Sequence, residues 1–463
     1  MVARVAENVV IVSNRGPLSF SHGDDGSLVA QRGAGGVASS LAPLVRDTGA
    51  RWMAAAMSDA DREAAAAGTV EAEGFQFRML AVDPDAYRMA YDVVSNGTLW
   101  FLHHGLWDLA RRPRFDPRWR EAWDAYRAVN HTFARAVIDE APADATVLVQ
   151  DYHFALVGTW LAQERPDLKA VHFTHIPFCD PDAIRILPDD VAGELLAGLA
   201  SHTSRGFHAR RWARNFEACC QALWGWHPST FVSPLAPDHD DIDAVAESAK
   251  SIEEGAALDE MLGGRRLILR VDRIELSKNL LRGFLAYEEL LRTRPEWRGQ
   301  VVFAAFVYPS REGLPEYLAY RQEVETLAAR INHQWGVPGW TPIVLDMSDN
   351  FPRSVAALRR YDVLLVNPVR DGLNLVAKEG PLLNVRNGVL ALSREAGAWE
   401  ELGGAALEIN PFDVAGTADV LAAGLAMDDE DRATHAAVLR KLAAARSPRD
   451  WLDDQLAAAD SSR

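Results

Sequence analysis

Cysteine is scarce in this chain: three residues in 463, two of them adjacent (Cys219-Cys220). Three thiols make neither a disulfide framework nor a zinc-ligand spacing. Positive charge is also in short supply, with 48 Lys and Arg against 65 Asp and Glu and a net charge of −17. An acidic chain is not drawn to a phosphate backbone or an anionic bilayer, so nucleic acid and membrane surfaces are excluded as partners. Cations gathered in one place then stand out. No apolar run approaches a membrane span, and Met1–Glu7 leads straight into a strand-like run without a secretory pattern. No Asp-x-Asp pair closes a strand, so neither a metal nor a cofactor is expected. These absences predict a cytoplasmic, globular protein with reduced thiols.

What is present is an ordinary core, 48% hydrophobic and 24% charged residues, in a length suited to two or three domains. Short apolar runs alternate with amphipathic stretches. Val9–Val12, Thr146–Val149 and Ala170–Phe173 in the first half, and Leu267–Leu269, Val301–Ala304 and Pro342–Leu345 in the second, read as parallel strands. Helices are predicted at 118–140, 280–292 and 316–332. The pattern predicts α/β architecture, two Rossmann-like doubly wound domains facing across a cleft, with ligands at strand C-termini. The acidic, Ala- and Ser-rich stretch Pro234–Gly264 marks the connection plus a surface helix. Boundaries follow at 1–235 and 236–440. The remainder, 441–463, falls in a helical tail broken at Ser447-Pro448 and returns to the first domain.

The chemistry concentrates in two segments of the second half. Tyr361–Val366 reads as a buried strand, followed by Arg370-Asp371-Gly372-Leu373-Asn374-Leu375-Val376-Ala377-Lys378-Glu379. A helix opening there turns free N–H groups to the crevice, which favours an anion. Asp371 and Glu379, eight residues and roughly 12 Å apart on a helix, flank that anion site with hydroxyl acceptors. A nucleotide sugar has hydroxyls on both sides of a phosphate. Asp272–Asn279, after another strand, places Arg273 and Lys278 on a loop where a guanidinium fork and a point charge would neutralise a diphosphate. Arg311 ends a further strand toward the same cleft.

In the first half, Ser13-Asn14-Arg15-Gly16 closes a strand, and Arg32-Gly33-Ala34-Gly35-Gly36 opens a helix with backbone free to approach a ligand. That loop lacks the dinucleotide fingerprint. Gln150-Asp151-Tyr152-His153 and Thr174-His175-Ile176-Pro177-Phe178 end strands where polar catalytic groups gather. Tyr91 and Trp100 flank Ser95-Asn96-Gly97, a spacing that suits either sugar stacking or core packing.

This set of motifs, in this order along nearly the whole chain, resembles the trehalose-6-phosphate synthases of glycosyltransferase family 20, a retaining family with the GT-B fold. The resemblance implies glucosyl transfer from a nucleoside-diphosphate glucose to glucose 6-phosphate, giving α,α-trehalose 6-phosphate, without the phosphatase domain fused in some relatives. It implies catalytic roles for Asp151, His175, Arg273, Lys278 and Asp371. The donor would be held by Gly36, His175, Arg273, Lys278, Asp371, Gly372, Leu373, Asn374 and Leu375, with Glu379 on the ribose. Arg15, Tyr91, Trp100, Asp151 and Arg311 would receive the acceptor.

Several segments depart from the family pattern. Gln150 stands where His is usual, Leu276 and Asn279 where Tyr and Gly are common, and Trp52-Met53-Ala54-Ala55 lacks a second aromatic. These departures are similar to an actinobacterial branch that uses GDP-glucose, so GDP-glucose is favoured over UDP-glucose. Asp346, Ser348, Asp349 and Asn350 are the candidate guanine readers. Two rival readings remain: a pseudo-glycosyltransferase of the validoxylamine-phosphate synthase type, and a non-catalytic sugar-phosphate-binding paralogue. The retained Arg370 and Ala377-Lys378 weigh against the first, and the complete phosphate set against the second. A homo-oligomer is left open.

Overall fold

In unit 1, the strand β1 (Val9–Ser13) is buried at every position, as a strand covered on both faces must be. After the antiparallel hairpin of β2 (Leu18–His22) and β3 (Leu28–Arg32) come β4 (Arg51–Ala55), β5 (Thr69–Ala72), β6 (Phe75–Leu80), β7 (Thr146–Gln150), β8 (Lys169–Thr174), β9 (Ser204–Phe207) and β10 (Phe231–Val232). The sheet runs β10-β9-β8-β7-β1-β4-β6-β5, parallel except for the β5–β6 edge. Its strand order reverses at β1, so the C-terminal ends of β1 and β7 bound the crevice where such sheets take ligands. The hairpin is outside this sheet. Asp61 bolts it down, accepting from the N–H groups of Phe20, Met57 and Ser58 at 2.8, 3.2 and 3.0 Å.

Unit 2 carries β11 (Arg266–Arg273), β12 (Val301–Tyr308), β13 (Ile343–Asp346), β14 (Val363–Val366), β15 (Val389–Ser393) and β16 (Leu407–Ile409). All are parallel, in the order β13-β12-β11-β14-β15-β16, with the reversal between β11 and β14. The computed structural model describes residues 8–23, 25–32, 36–66 and 68–461. Its two units are Met1–Pro234 with Pro448–Arg463, and Leu235–Ser447. No helix among the described residues is long and apolar enough to cross a membrane.

Three local expectations need correcting, and residues 89–99 add a feature that none of them named. The strand predicted at Leu267–Leu269 continues to Arg273, pairing residue by residue with β12 as far as Tyr308. Charged residues fit there because Arg270 and Asp272 neutralise each other at 3.0 Å. The stretch Pro234–Gly264 holds two helices, His239–Ala246 and Ala249–Leu262, each capped by its preceding Asp238 or Ser248. Residues 89–99 wind as a π-helix, with the Thr98 hydroxyl donating to the Val93 carbonyl five residues back. Finally, the second unit extends past residue 440 to Ser447, because the helix Asp429–Ala443 is continuous.

The last helix, Pro448–Asp460, belongs to the first unit. Trp451 is fully buried, edge-on to Phe173 at 5.2 Å and to His175 at 5.5 Å. Ser233 donates to Asp454 at 2.8 Å, and Lys169 pairs with Asp460 at 2.5 Å. Trp451→Ala should therefore cost about 3–5 kcal/mol in urea unfolding of the intact chain. A loss below about 1 kcal/mol would mean that this helix is not part of the unit's core.

Candidate active site

Four cations converge at the strand ends of unit 2, each held by a carboxylate. Glu275, with no exposed side-chain surface, takes Arg273 at 3.2 Å and Arg311 at 2.7 Å, and Ser310 donates to it at 3.0 Å. Lys278 meets Asp371 at 2.6 Å and lies 3.8 Å from Asp272. Arg270 is fully buried, bonded to Asp272, to the Asn367 side chain and to the Lys278 carbonyl. Burial opposes charge on Lys278, yet Asp371 and Asp272 outweigh it and hold the ammonium above its ordinary value. The same balance, burial against Glu275, raises Arg273. Asp272 is pushed up by burial despite Arg270 and Lys278. Arg273 itself ends β11 rather than projecting from a loop.

The segment after β14 is not helical from Asp371 onward. Asp371 bridges to Ala396, and the carbonyls of Asp371 and Leu373 accept from Gly397 at 3.0 Å and Ala398 at 2.8 Å. Gly397 is required there, since a Cβ would lie 2.0 Å from the Gly372 carbonyl oxygen. Asn374 takes a positive φ of 87° and the helix begins only at Val376, so helical rise does not measure the distance from Asp371 to Glu379. The extended turn has a chemical result. The N–H groups of Leu373, Asn374 and Leu375 find no acceptor among the described residues, while Asn374 ties Asp371 (3.1 Å) to the helix start at Ala377 (3.1 Å). The Glu379 carboxyl has no hydrogen-bond or ion-pair partner among them either, and burial raises it from 4.5 to about 7. Lys378 points away, into a buried pair with Glu401 at 2.7 Å.

In unit 1, Asp151 sits at the end of β7 with φ 72°, and its carboxylate accepts the His175 N–H at 3.0 Å. Both His175 ring nitrogens are engaged, Nε2 with Gln150 Oε1 at 2.9 Å and Nδ1 with His208 Nε2 at 3.0 Å. Burial and the neighbouring His208 and His172 hold this imidazole well below its usual range, hence neutral. Arg15 is exposed at the end of β1, beside Asn14, which accepts from the Tyr87 hydroxyl at 2.8 Å.

The sugar-stacking alternative for the two aromatics does not hold. Tyr91 is sandwiched between Tyr87 and His153, near-parallel with centroids 5.6 Å away on each side. Trp100 is buried against His104 at 4.0 Å and Tyr152 at 6.0 Å. The π-helix brings both rings onto the Tyr152-His153 segment. Gly36 is the first residue of the helix Gly36–Val45; Gly33, Ala34 and Gly35 lie outside the described residues.

The candidate base readers are mostly engaged elsewhere. Asp346 binds Arg353 and the Ser348 N–H and hydroxyl, and Asn350 caps the next helix and donates to Glu254 at 2.7 Å. Asn279 is buried and donates to the Asn367 and Pro411 carbonyls. Only Asp349, exposed, keeps a carboxylate uncommitted. Sequence reading missed Glu275 as the shared anchor, although it lies inside the quoted motif; its buried, doubly paired state has no local sequence signal. It also missed His208 and Gln455, distant in sequence from their partners.

The chain also resembles known proteins. Residues 7–460 match the model for glycosyltransferase family 20. The chain is 32% identical to a trehalose-6-phosphate synthase of Mycobacterium sp. (strain JLS), over 96% of this chain and 94% of that protein. It is 35% identical to the bifunctional trehalose-6-phosphate synthase/phosphatase of Thermoproteus tenax over 74% of this chain, a match taking in only 48% of that protein. Among solved structures it is similar to the Escherichia coli protein bound with UDP-2-fluoro glucose, with TM-score 0.85, 27% identity and coverage of 98% and 99%. A UDP-forming α,α-trehalose-phosphate synthase from Burkholderia vietnamiensis gives TM-score 0.84 and 28% identity, covering 98% of this chain and all of that one. The fold is accordingly GT-B.

Glu275→Ala leaves two guanidinium groups without their common counter-charge. Breaking a buried pair from one side costs about 3–5 kcal/mol, and calorimetry should find that loss. A variant as stable as the parent would show that Arg273 and Arg311 re-pair with solvent freely.

Proposed function

The chain belongs to glycosyltransferase family 20, and from that premise we propose that it makes α,α-trehalose 6-phosphate from a nucleoside-diphosphate glucose and glucose 6-phosphate. The observation that carries this is the donor end of unit 2: Arg273, Lys278 and the unpaired N–H groups of Leu373–Leu375 beside Asp371. Two cations and a row of amide donors suit a diphosphate. Asp371, already shared between Lys278 and Asn374, is the acceptor for glucose hydroxyls, and the unpartnered Glu379 is the acceptor for the ribose. Gly36 offers backbone at a helix start, and His175 offers an imidazole to the transferred glucose. Arg15, Tyr91, Asp151 and Arg311 form the acceptor set, with the phosphate on the two arginines, and Trp100 packs behind it on Tyr152.

Transfer proceeds with retention by front-face departure and attack. The bond from C1 to the diphosphate oxygen breaks, the acceptor oxygen bonds to C1 from the same side, and the acceptor's proton passes to the leaving phosphate. Arg273 and Lys278 stabilise the charge that develops on that phosphate. GDP-glucose is the preferred donor. The named relatives with a printed donor are UDP-forming, so this preference rests on the altered surroundings of the diphosphate lysine and on Asp349, which can accept from guanine N1–H and its exocyclic amine together. Uracil has no such donor pair.

The assay is product formation from glucose 6-phosphate with GDP-, UDP- and ADP-glucose side by side. The disaccharide phosphate should form, with kcat/KM highest for GDP-glucose and reduced selectively by Asp349→Ala. Equal or higher kcat/KM with UDP-glucose overturns the donor preference, and no product with any donor overturns the synthase.

Glu379 gives a second test. A carboxyl with its pKa raised to about 7 is accommodated by the fold in its neutral form. That stabilising difference is complete below 4.5 and disappears as pH rises through 7, whereas ribose binding wants the anion. Donor KM should fall between pH 6 and 8 in the parent. In Glu379→Gln the donor KM should stay flat over that range, with greater unliganded stability at pH 8. A parent KM that does not change over the range would contradict the assignment.

A further inference from the structure

We propose that Gln455, on the C-terminal helix, is a positioning residue for the transferred glucose: acting through Gln150, it holds His175 as the Nε2–H tautomer. This rests on the reading of His175 as a glucose contact. The Trp451 carbonyl can only accept, so the end of Gln455 that reaches it, at 3.4 Å, is the NH2 group. Gln455 therefore turns its oxygen to Gln150, whose own NH2 donates to it at 3.1 Å. That leaves Gln150 Oε1 facing His175 Nε2 at 2.9 Å. An amide oxygen cannot donate, so the hydrogen is on Nε2.

The rest of the ring follows. In a neutral imidazole with Nε2–H, Nδ1 is an acceptor, and His208 Nε2 at 3.0 Å is its donor. Phe173 at 5.0 Å and Trp451 at 5.5 Å hold the plane of the ring. Gln150 and Gln455 are both buried, so water does not compete for the two amides. A sugar hydroxyl that takes the place of the His208 N–H at Nδ1 thus meets a lone pair and binds as a donor. If the Gln150 amide turned over, the ring would have to carry its hydrogen on Nδ1 and would meet the same hydroxyl with an N–H. The helix Pro448–Asp460 thereby sets the polarity of a group at the end of β8.

Two readouts on the full chain test this. Long-range proton–nitrogen correlation spectra, with the His175 signals assigned by their loss in His175→Gln, should show Nε2–H in the parent. Gln455→Leu frees the Gln150 amide and should convert His175 wholly or partly to Nδ1–H. It should also lower kcat about tenfold with the KM for glucose 6-phosphate unchanged. Gln455→Glu, whose carboxylate still accepts from Gln150, should restore both. If Gln455→Leu does not fold, Gln455→Met carries the same comparison. Nδ1–H in the parent, an unchanged tautomer in the apolar variant, or a changed tautomer with unchanged kcat each overturns the proposal. The spectra need no substrate. A parent inactive with every donor would count against the synthase reading alone.

Discussion

The structure depends on keeping several cations close together in an acidic chain before any anion arrives. Four of them, Arg270, Arg273, Lys278 and Arg311, lie at the C-terminal ends of β11 and β12 or just beyond. Unpaired, they would repel one another and pay heavily for burial. Glu275, Asp272 and Asp371 hold them. The pairs differ in accessibility, and that difference suits function. Arg270–Asp272 is sealed and structural, while Lys278 and Arg273 keep part of their surface for a ligand. Arg273 and Arg311 share one carboxylate, so the cation assigned to the donor phosphate and the one assigned to the acceptor phosphate are mechanically joined through Glu275.

Topology decides where this cluster can form. In each sheet the strand order reverses at one place, and the polar motifs sit there: Ser13–Arg15 and Gln150–His153 beside β1 and β7, Arg273–Lys278 and Arg370–Leu375 beside β11 and β14. Helices diverging at such a point leave strand ends uncovered, which is the only place a buried parallel sheet can offer side chains to a ligand. Half of the described non-glycine residues with positive φ are found there as well. Positive φ values at Asp151, Asn279, Arg311 and Asn374 all fall next to these motifs. Asn374 shows what the strain achieves: it delays the helix and leaves three amide N–H groups with no acceptor among the described residues.

Much of this was legible in the sequence, for reasons that can be named. Strands such as β1 and β14 announce themselves as short runs of Val, Ile and Leu because both faces are buried. Motif residues at strand ends, Asp151, His175, Arg273 and Asp371, are recognisable because polar side chains interrupt those runs where the fold needs ligands. Features built from residues distant in sequence were not legible. Gln150 looked like a departure from a familiar motif, and its partner is Gln455, 305 positions away. The π-helix around Ser95 drew no reading of its own, and the extended turn at Asn374 was read as the start of a helix, since composition does not distinguish five-residue from four-residue bonding. Asp346 and Asn350 looked available to a base, and only tertiary contacts show them engaged with Arg353 and Glu254.

The central claim is that Lys278 and Asp371, 2.6 Å apart without ligand, divide the donor between them, the lysine taking diphosphate and the carboxylate taking glucose. Calorimetric titration of GDP and of GDP-glucose into the parent, Lys278→Ala and Asp371→Asn tests it directly. The account predicts that Lys278→Ala weakens both ligands by about tenfold to a hundredfold. Asp371→Asn should leave GDP binding unchanged or tighter and weaken GDP-glucose alone. Equal weakening of GDP and GDP-glucose by Asp371→Asn, or unaltered GDP binding in Lys278→Ala, would contradict it.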